Sequence, residues 1–129
     1  MSDPRILVID DSAANLKLLR VLLLTEGFRV STATNAAEAL AQVAAELPDL
    51  VLTDVQLPDL NGLELARRLK ADPRSAAIPV VAVTSYAMSG DKGRALSAGC
   101  DAYVSKPIDT RALPSLLRSL LQPGGTGAL

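Results

Sequence analysis

Short apolar runs and longer amphipathic segments alternate along the chain. Arg5–Ile9, Phe28–Ala33, Leu50–Thr53, Val80–Val83 and Ala102–Ser105 are runs of four to six residues dominated by apolar and β-branched side chains. Such runs are the pattern of strands covered on both faces. Between the first two, Ala13–Glu26 carries Leu16, Leu19 and Leu23 at helical spacing, with Ser12 placed as N-cap and Gly27 as a C-terminal stop. Leu18, Val21 and Leu24 lie off that stripe, so this helix has more apolar surface than one buried face requires. Thr34 or Asn35 caps a second helix running to about Leu47, with Ala36, Leu40 and Val43 as apolar positions and Pro48 just beyond.

Pro58, Asp59, Asn61 and Gly62 mark a turn before a third helix, Leu63–Ala71, which Asp72-Pro73 ends. Met88–Ala98 is a weak fourth helix, because Gly90 and Gly93 each cost about 1 kcal/mol relative to Ala. A fifth lies between about Asp109 and Leu121 on Leu113, Leu116, Leu117 and Leu120; Pro114 predicts a late start or a slight kink. Gln122–Leu129 is glycine-rich and reads as a flexible tail, leaving residues 1–121 as one domain.

Five strands alternating with five helices imply a single doubly wound α/β domain around a parallel sheet. Right-handed crossovers favour the strand order 2-1-3-4-5, which sets strands 1 and 3 side by side at the switch point, where ligands bind beyond the carboxyl ends of the strands. Four strands finish there in polar residues: Asp10 and Asp11 after the first, Asp54 after the third, Thr84 after the fourth and Lys106 after the fifth.

Composition narrows the chemistry. The 129 residues have no histidine and one cysteine, Cys100, which removes Ser-His-Asp triads, multi-cysteine zinc sites and an internal disulfide. A net charge of −1 argues against a nucleic-acid surface. The polar start Met1-Ser2-Asp3-Pro4 has no signal-peptide pattern, and no apolar run approaches a membrane span of about 20 residues. A cytoplasmic location is the expectation.

Three carboxylates gathered at one sheet edge repel one another, and a hard dication relieves that repulsion. Mg²⁺ suits oxygen ligands and phosphate; Asp11 and Asp54 are the expected direct ligands, with Asp10 direct or through water. A carboxylate is also a nucleophile toward phosphoryl groups, and Asp54, at the tip of a central strand, is the best placed. Lys106 and Mg²⁺ would supply positive charge to the phosphoryl oxygens, and the Thr84 hydroxyl and nearby N–H groups neutral donors.

The residues Ile6-Leu7-Val8-Ile9-Asp10-Asp11, Leu52-Thr53-Asp54-Val55-Gln56-Leu57-Pro58 with Gly62, Val83-Thr84-Ser85 and Tyr103-Val104-Ser105-Lys106-Pro107 resemble a response-regulator receiver domain, chemotaxis-regulator-like, from about Arg5 to Leu121. The resemblance implies a flavodoxin-like fold. It also implies phosphoryl transfer to Asp54 from a phosphohistidine on a histidine kinase or histidine phosphotransfer protein. The Mg²⁺ (or Mn²⁺) would be held by Asp11, Asp54 and the Gln56 backbone carbonyl, with Asp10 acting through water. Backbone groups of Val55 and Ser85 would contact the phosphoryl group, and the Lys106–Pro107 bond would be cis. Thr84 and Tyr103 would switch together and alter the surface of the fourth helix, fifth strand and fifth helix for a downstream protein target. By the same resemblance Gln56 and Tyr86 would flank the path of attacking water, and the bulk of Tyr86 would make the phosphoryl-aspartate long-lived. Leu18, Val21 and Leu24 would serve docking of the donor.

Two other readings compete. A small Asp-nucleophile phosphatase usually has a second catalytic aspartate two residues after the first; here that position is Gln56, and there is no cap domain. A degenerate receiver used only for interaction would not keep Asp10, Asp11, Asp54, Thr84 and Lys106. The chain is therefore expected to be a signalling switch rather than a metabolic enzyme, with only self-catalysed phosphorylation and dephosphorylation.

Overall fold

The computed structural model describes residues 3–84, 93 and 96–121. Within them lie strands β1 (Arg5–Ile9), β2 (Arg29–Ala33), β3 (Leu50–Asp54), β4 (Val80–Thr84) and β5 (Ala102–Ser105). The helices are α1 (Ala13–Thr25), α2 (Ala36–Ala45), α3 (Gly62–Ala71) and α4 (Leu113–Leu121). The strands form one sheet in the order β2-β1-β3-β4-β5, with every neighbouring pair parallel. This is the flavodoxin-like arrangement read from the sequence. Four helices, not five, are complete among the described residues, because the expected Met88–Ala98 helix falls mostly outside them, as do Ser85, Tyr86 and the 122–129 tail.

The apolar strands feed two cores. Successive side chains of a strand point to opposite faces, so Leu7, Ile9 and Val51 join Ala39, Leu65 and Leu69 of α2 and α3 on one side. Ile6, Val8, Leu50 and Leu52 join Leu16, Leu19, Leu23 and Leu117 of α1 and α4 on the other. Each fully buried Leu, Ile or Val contributes about 1.5–3 kcal/mol, which fixes register: a one-residue slip would exchange the two cores. Tyr103 is half-buried against the α2–α3 side.

Local signals set the helix ends. Ser12 Oγ accepts the Asn15 N–H at 3.3 Å and caps α1. Gly27, at φ 93°, turns the chain out of that helix in a conformation that side chains with a Cβ rarely adopt. Of the two candidate caps for α2, Asn35 serves, accepting the Glu38 N–H at 2.8 Å. The helix stops at Ala45, two residues short of the expected Leu47.

The last helix does start late. Asp109 Oδ1 accepts the Arg111 and Ala112 N–H groups in a preceding turn, and Pro114 falls in the first helical turn, where its missing N–H has no intrahelical acceptor. Arg118 of α4 reaches the carboxyl end of α1, donating to Glu26 O at 2.7 Å and Glu26 Oε1 at 3.0 Å while lying 5.3 Å over the Phe28 ring. Leu121 lines a polar hollow with Pro4, Arg5 and Asp49, at the amino ends of β1 and β3.

Candidate phosphoacceptor and metal site

Parallel pairing brings the strand ends together. Ile9 is the register partner of Thr53, and Asp54 that of Val83. Asp10 therefore follows β1 beside Asp54, the last residue of β3, and Thr84 ends β4 one step past Val83. Asp10, Asp54 and Thr84 are buried, at 4%, 7% and 2% exposure, whereas Asp11 is exposed. Oxygens of Asp10, Asp11 and Asp54 all lie within 4.8 Å of one another.

Lys106 comes from the end of β5, where its N–H donates to Thr84 O at 2.7 Å and its peptide to Pro107 is cis. Its ammonium is 2.9 Å from Asp54 Oδ2 and 3.6 Å from Asp10 Oδ2. Burial opposes the charge on Lys106, but the hydrogen bond and attraction of Asp54, joined by Asp10, outweigh it and leave its pKa above the ordinary lysine value. One ammonium against three carboxylates leaves the cluster negative, the condition a dication relieves. An all-oxygen donor set, partly buried and partly open at Asp11, fits a hard ion such as Mg²⁺ that keeps some of its water.

All five sequence-predicted side chains thus reach this edge. Gln56 is exposed, and its N–H donates to Asp54 Oδ1 at 3.1 Å. The Val55 N–H donates to Val83 O at 2.9 Å. The sheet ladder runs one residue past the strand, so the amide that faces the carboxylate is the next one. Ser85 and Tyr86 lie outside the described residues. Leu18, Val21 and Leu24 are exposed, as their place off the buried stripe implied. A crevice of about 200 Å³ opens from the acidic edge between α1 and the segment after β5, lined by Asn15, Leu18, Leu19, Pro107 and Ile108.

Three further residues shape the site, two of them, Asn15 and Asp59, with roles the sequence did not reveal. Asn15 donates to Asp10 Oδ2 at 3.2 Å; an amide early in a helix reads as an ordinary capping residue. Asp59 takes the Ala36 and Ala37 N–H groups at 2.9 and 3.0 Å, pinning the loop after Asp54 to α2. Gly62 packs directly against the Asp54 backbone. The Gly62 spacing was a visible signal; the Asp59 contact, spanning 23 residues, had none.

Residues 6–118 match the response regulator receiver domain family, and the chain belongs to it. It is a receiver of two-component signalling, not a metabolic enzyme. The polar-differentiation response regulator DivK of Brucella anthropi is 40% identical over 116 residues, which cover 90% of this chain and 94% of DivK. The response regulator PleD of Caulobacter vibrioides is 43% identical over 116 residues, 90% of this chain but 26% of PleD. The receiver domain of the sensor histidine kinase PA1611 from Pseudomonas aeruginosa PAO1, with a magnesium ion coordinated in its active-site cleft, is 27% identical. It aligns over 93% of this chain and 98% of that one with a TM-score of 0.85. Among the described residues no helix is long and apolar enough to cross a membrane.

Proposed function

We propose that the chain is a phosphorylatable switch that takes a phosphoryl group onto Asp54 from a phosphohistidine of a histidine kinase or histidine phosphotransfer protein. The observation that carries this is the Lys106 ammonium 2.9 Å from Asp54, inside a triad of carboxylates whose oxygens lie within 4.8 Å. An Asp54 carboxylate oxygen attacks phosphorus and the N–P bond breaks. Its electron pair stays on the leaving imidazole nitrogen, which takes a proton from solvent. No histidine of this chain can be the donor, since it has none.

Asp11, Asp54 and the Gln56 carbonyl would hold Mg²⁺ or Mn²⁺, with Asp10 acting through water. Bound there, the ion supplies charge neutralisation for the phosphoryl oxygens. Lys106 gives a second positive charge, and the N–H groups of Gln56 and Ser85 and the Thr84 hydroxyl act as neutral donors. Buried Asp54 is shielded from bulk water, which favours transfer over hydrolysis. Loss of the phosphoryl group again requires water to reach phosphorus past Gln56 and Tyr86.

Once Asp54 is modified, Thr84 and the half-buried Tyr103 move together, and the surface of β5 and its flanking helices changes for a downstream protein target. The exposed Leu18, Val21 and Leu24 and the adjoining crevice are the docking face for the donor. The working compartment is the cytoplasm, without membrane insertion or direct nucleic-acid binding.

The test is phosphotransfer from acetyl phosphate and from a phosphorylated histidine donor, with Asp54→Asn as control. Mg²⁺-dependent labelling of the wild type and none of the variant is expected. Equal labelling of both would refute the assignment.

A further inference from the structure

Asp10 is held on both oxygens. Oδ1 accepts the Ser12 N–H at 2.8 Å; Oδ2 accepts the Asn15 side-chain N–H at 3.2 Å and faces Lys106 Nζ at 3.6 Å. Asn15 is itself fixed: its backbone N–H is tied to the Ser12 cap, and Leu16 and Leu19 anchor the same turn in the core. Its half-buried amide lines the crevice beside Asp54.

The chemistry of an amide suits this place. It donates a hydrogen bond without adding charge, so it neither competes with a dication nor repels it. Lys106 lies between two acceptors and is nearer to Asp54, 2.9 Å against 3.6 Å. With Asn15 holding Asp10 Oδ2, Asp10 does not swing onto Lys106 and draw the ammonium away from the phosphoacceptor.

We propose that Asn15 is a positioning residue for the divalent ion: its amide orients Asp10, and through Asp10 it sets the affinity of the acidic triad. The proposal rests on the reading of Asp10, Asp11 and Asp54 as the Mg²⁺ site. Partners that orient ligands from outside typically change metal affinity by about 10–100-fold when removed. A single half-buried hydrogen bond belongs at the lower end.

The experiment is Mg²⁺ titration calorimetry on the unphosphorylated full chain for the wild type, Asn15→Ala, Asp10→Asn and the double variant. Mn²⁺, followed by loss of its free EPR signal, extends the set to weak binding. Asn15→Ala is expected to weaken binding about tenfold in the wild-type background and less than about twofold when Asp10 is already Asn. Its metal-free urea midpoint should hold, since Ala is a good helix former. Unchanged affinity in Asn15→Ala, or the same loss in both backgrounds, would overturn the role. A wild-type chain that takes up neither ion would overturn the metal site and this inference with it.

Discussion

Replacing Gly62 with Ala sets two effects against each other. Gly62 is the first residue of α3, where alanine is the better helix former by at most about 1 kcal/mol. On propensity alone the change stabilises. The structure predicts the opposite. A Cβ there would overlap the Asp54 backbone carbonyl outright and lie 2.9 Å from Val55 Cα.

Neither neighbour is the loose end of a side chain. Both are backbone, tied by the Gly62 N–H to Val55 O at 2.7 Å and the Val55 N–H to Val83 O at 2.9 Å. Relief requires the loop or the helix start to move by about 1 Å, and overpacking of this kind costs about 1–3 kcal/mol or somewhat more. The net expectation is a loss of about 2 kcal/mol, a drop in Tm on the order of 5–10 °C for a domain of this size. The moved atoms are those of the proposed phosphoacceptor, so metal-dependent labelling of Asp54 should fall as well. Urea unfolding of the metal-free protein, paired with phosphorylation by acetyl phosphate, reads both. A variant as stable as the wild type, or more so, would refute the close approach.

Other expectations follow from the charged and buried groups. Lys106 has a raised pKa, so its pairing stabilises the fold fully below the ordinary lysine value of about 10.4 and is lost as pH climbs through the folded value; the metal-free stability difference between wild type and Lys106→Met should be flat near neutrality and shrink only in strong alkali. Burial pushes the Cys100 thiol up to about 11, so above the free-thiol value of about 8.5 only the unfolded chain ionises; stability should fall with pH across that window in wild type but not in Cys100→Ala, and labelling by a disulfide reagent should wait for unfolding. Asp59 has its carboxyl held below the usual range, first by the Ala36 N–H against a smaller opposing effect of burial, with the N–H groups of Ala37, Asp59 and Leu60 adding to it. Its contribution is present above the ordinary carboxylate value and lost as pH falls through the folded one, so Asp59→Asn should have the lower urea midpoint at neutral pH and converge with wild type in acid.

What could be read in advance followed from how locally each signal is written. The alternation of apolar runs with helical stripes is short-range, and it sufficed for five strands and their order, because parallel crossovers allow few topologies. Asp10, Asp54, Thr84 and Lys106 were recognisable because each ends such a run, and the topology then carried them to one edge. Asp59 on the Ala36 and Ala37 amides depends on the path of a loop, which no periodicity encodes. That the Val55 N–H is tied to Val83 O was equally hidden, because the β3–β4 ladder continues one residue past the strand, a matter of register rather than residue type. Asn15 has no distinctive signal for a different reason: an amide beside Ser12 is ordinary at a helix start, and its bond to Asp10 exists only once β1 and α1 are in place.

The Arg118 clasp on Glu26 and Phe28 has a practical corollary. It clips α4 to the carboxyl end of α1, so Leu121 lies next to Pro4 and Arg5 at the amino ends of the strands, the opposite end of the sheet from Asp54. Cargo tethered beyond that point, whether a reporter or an effector module, would join the molecule at the end opposite its acidic cluster.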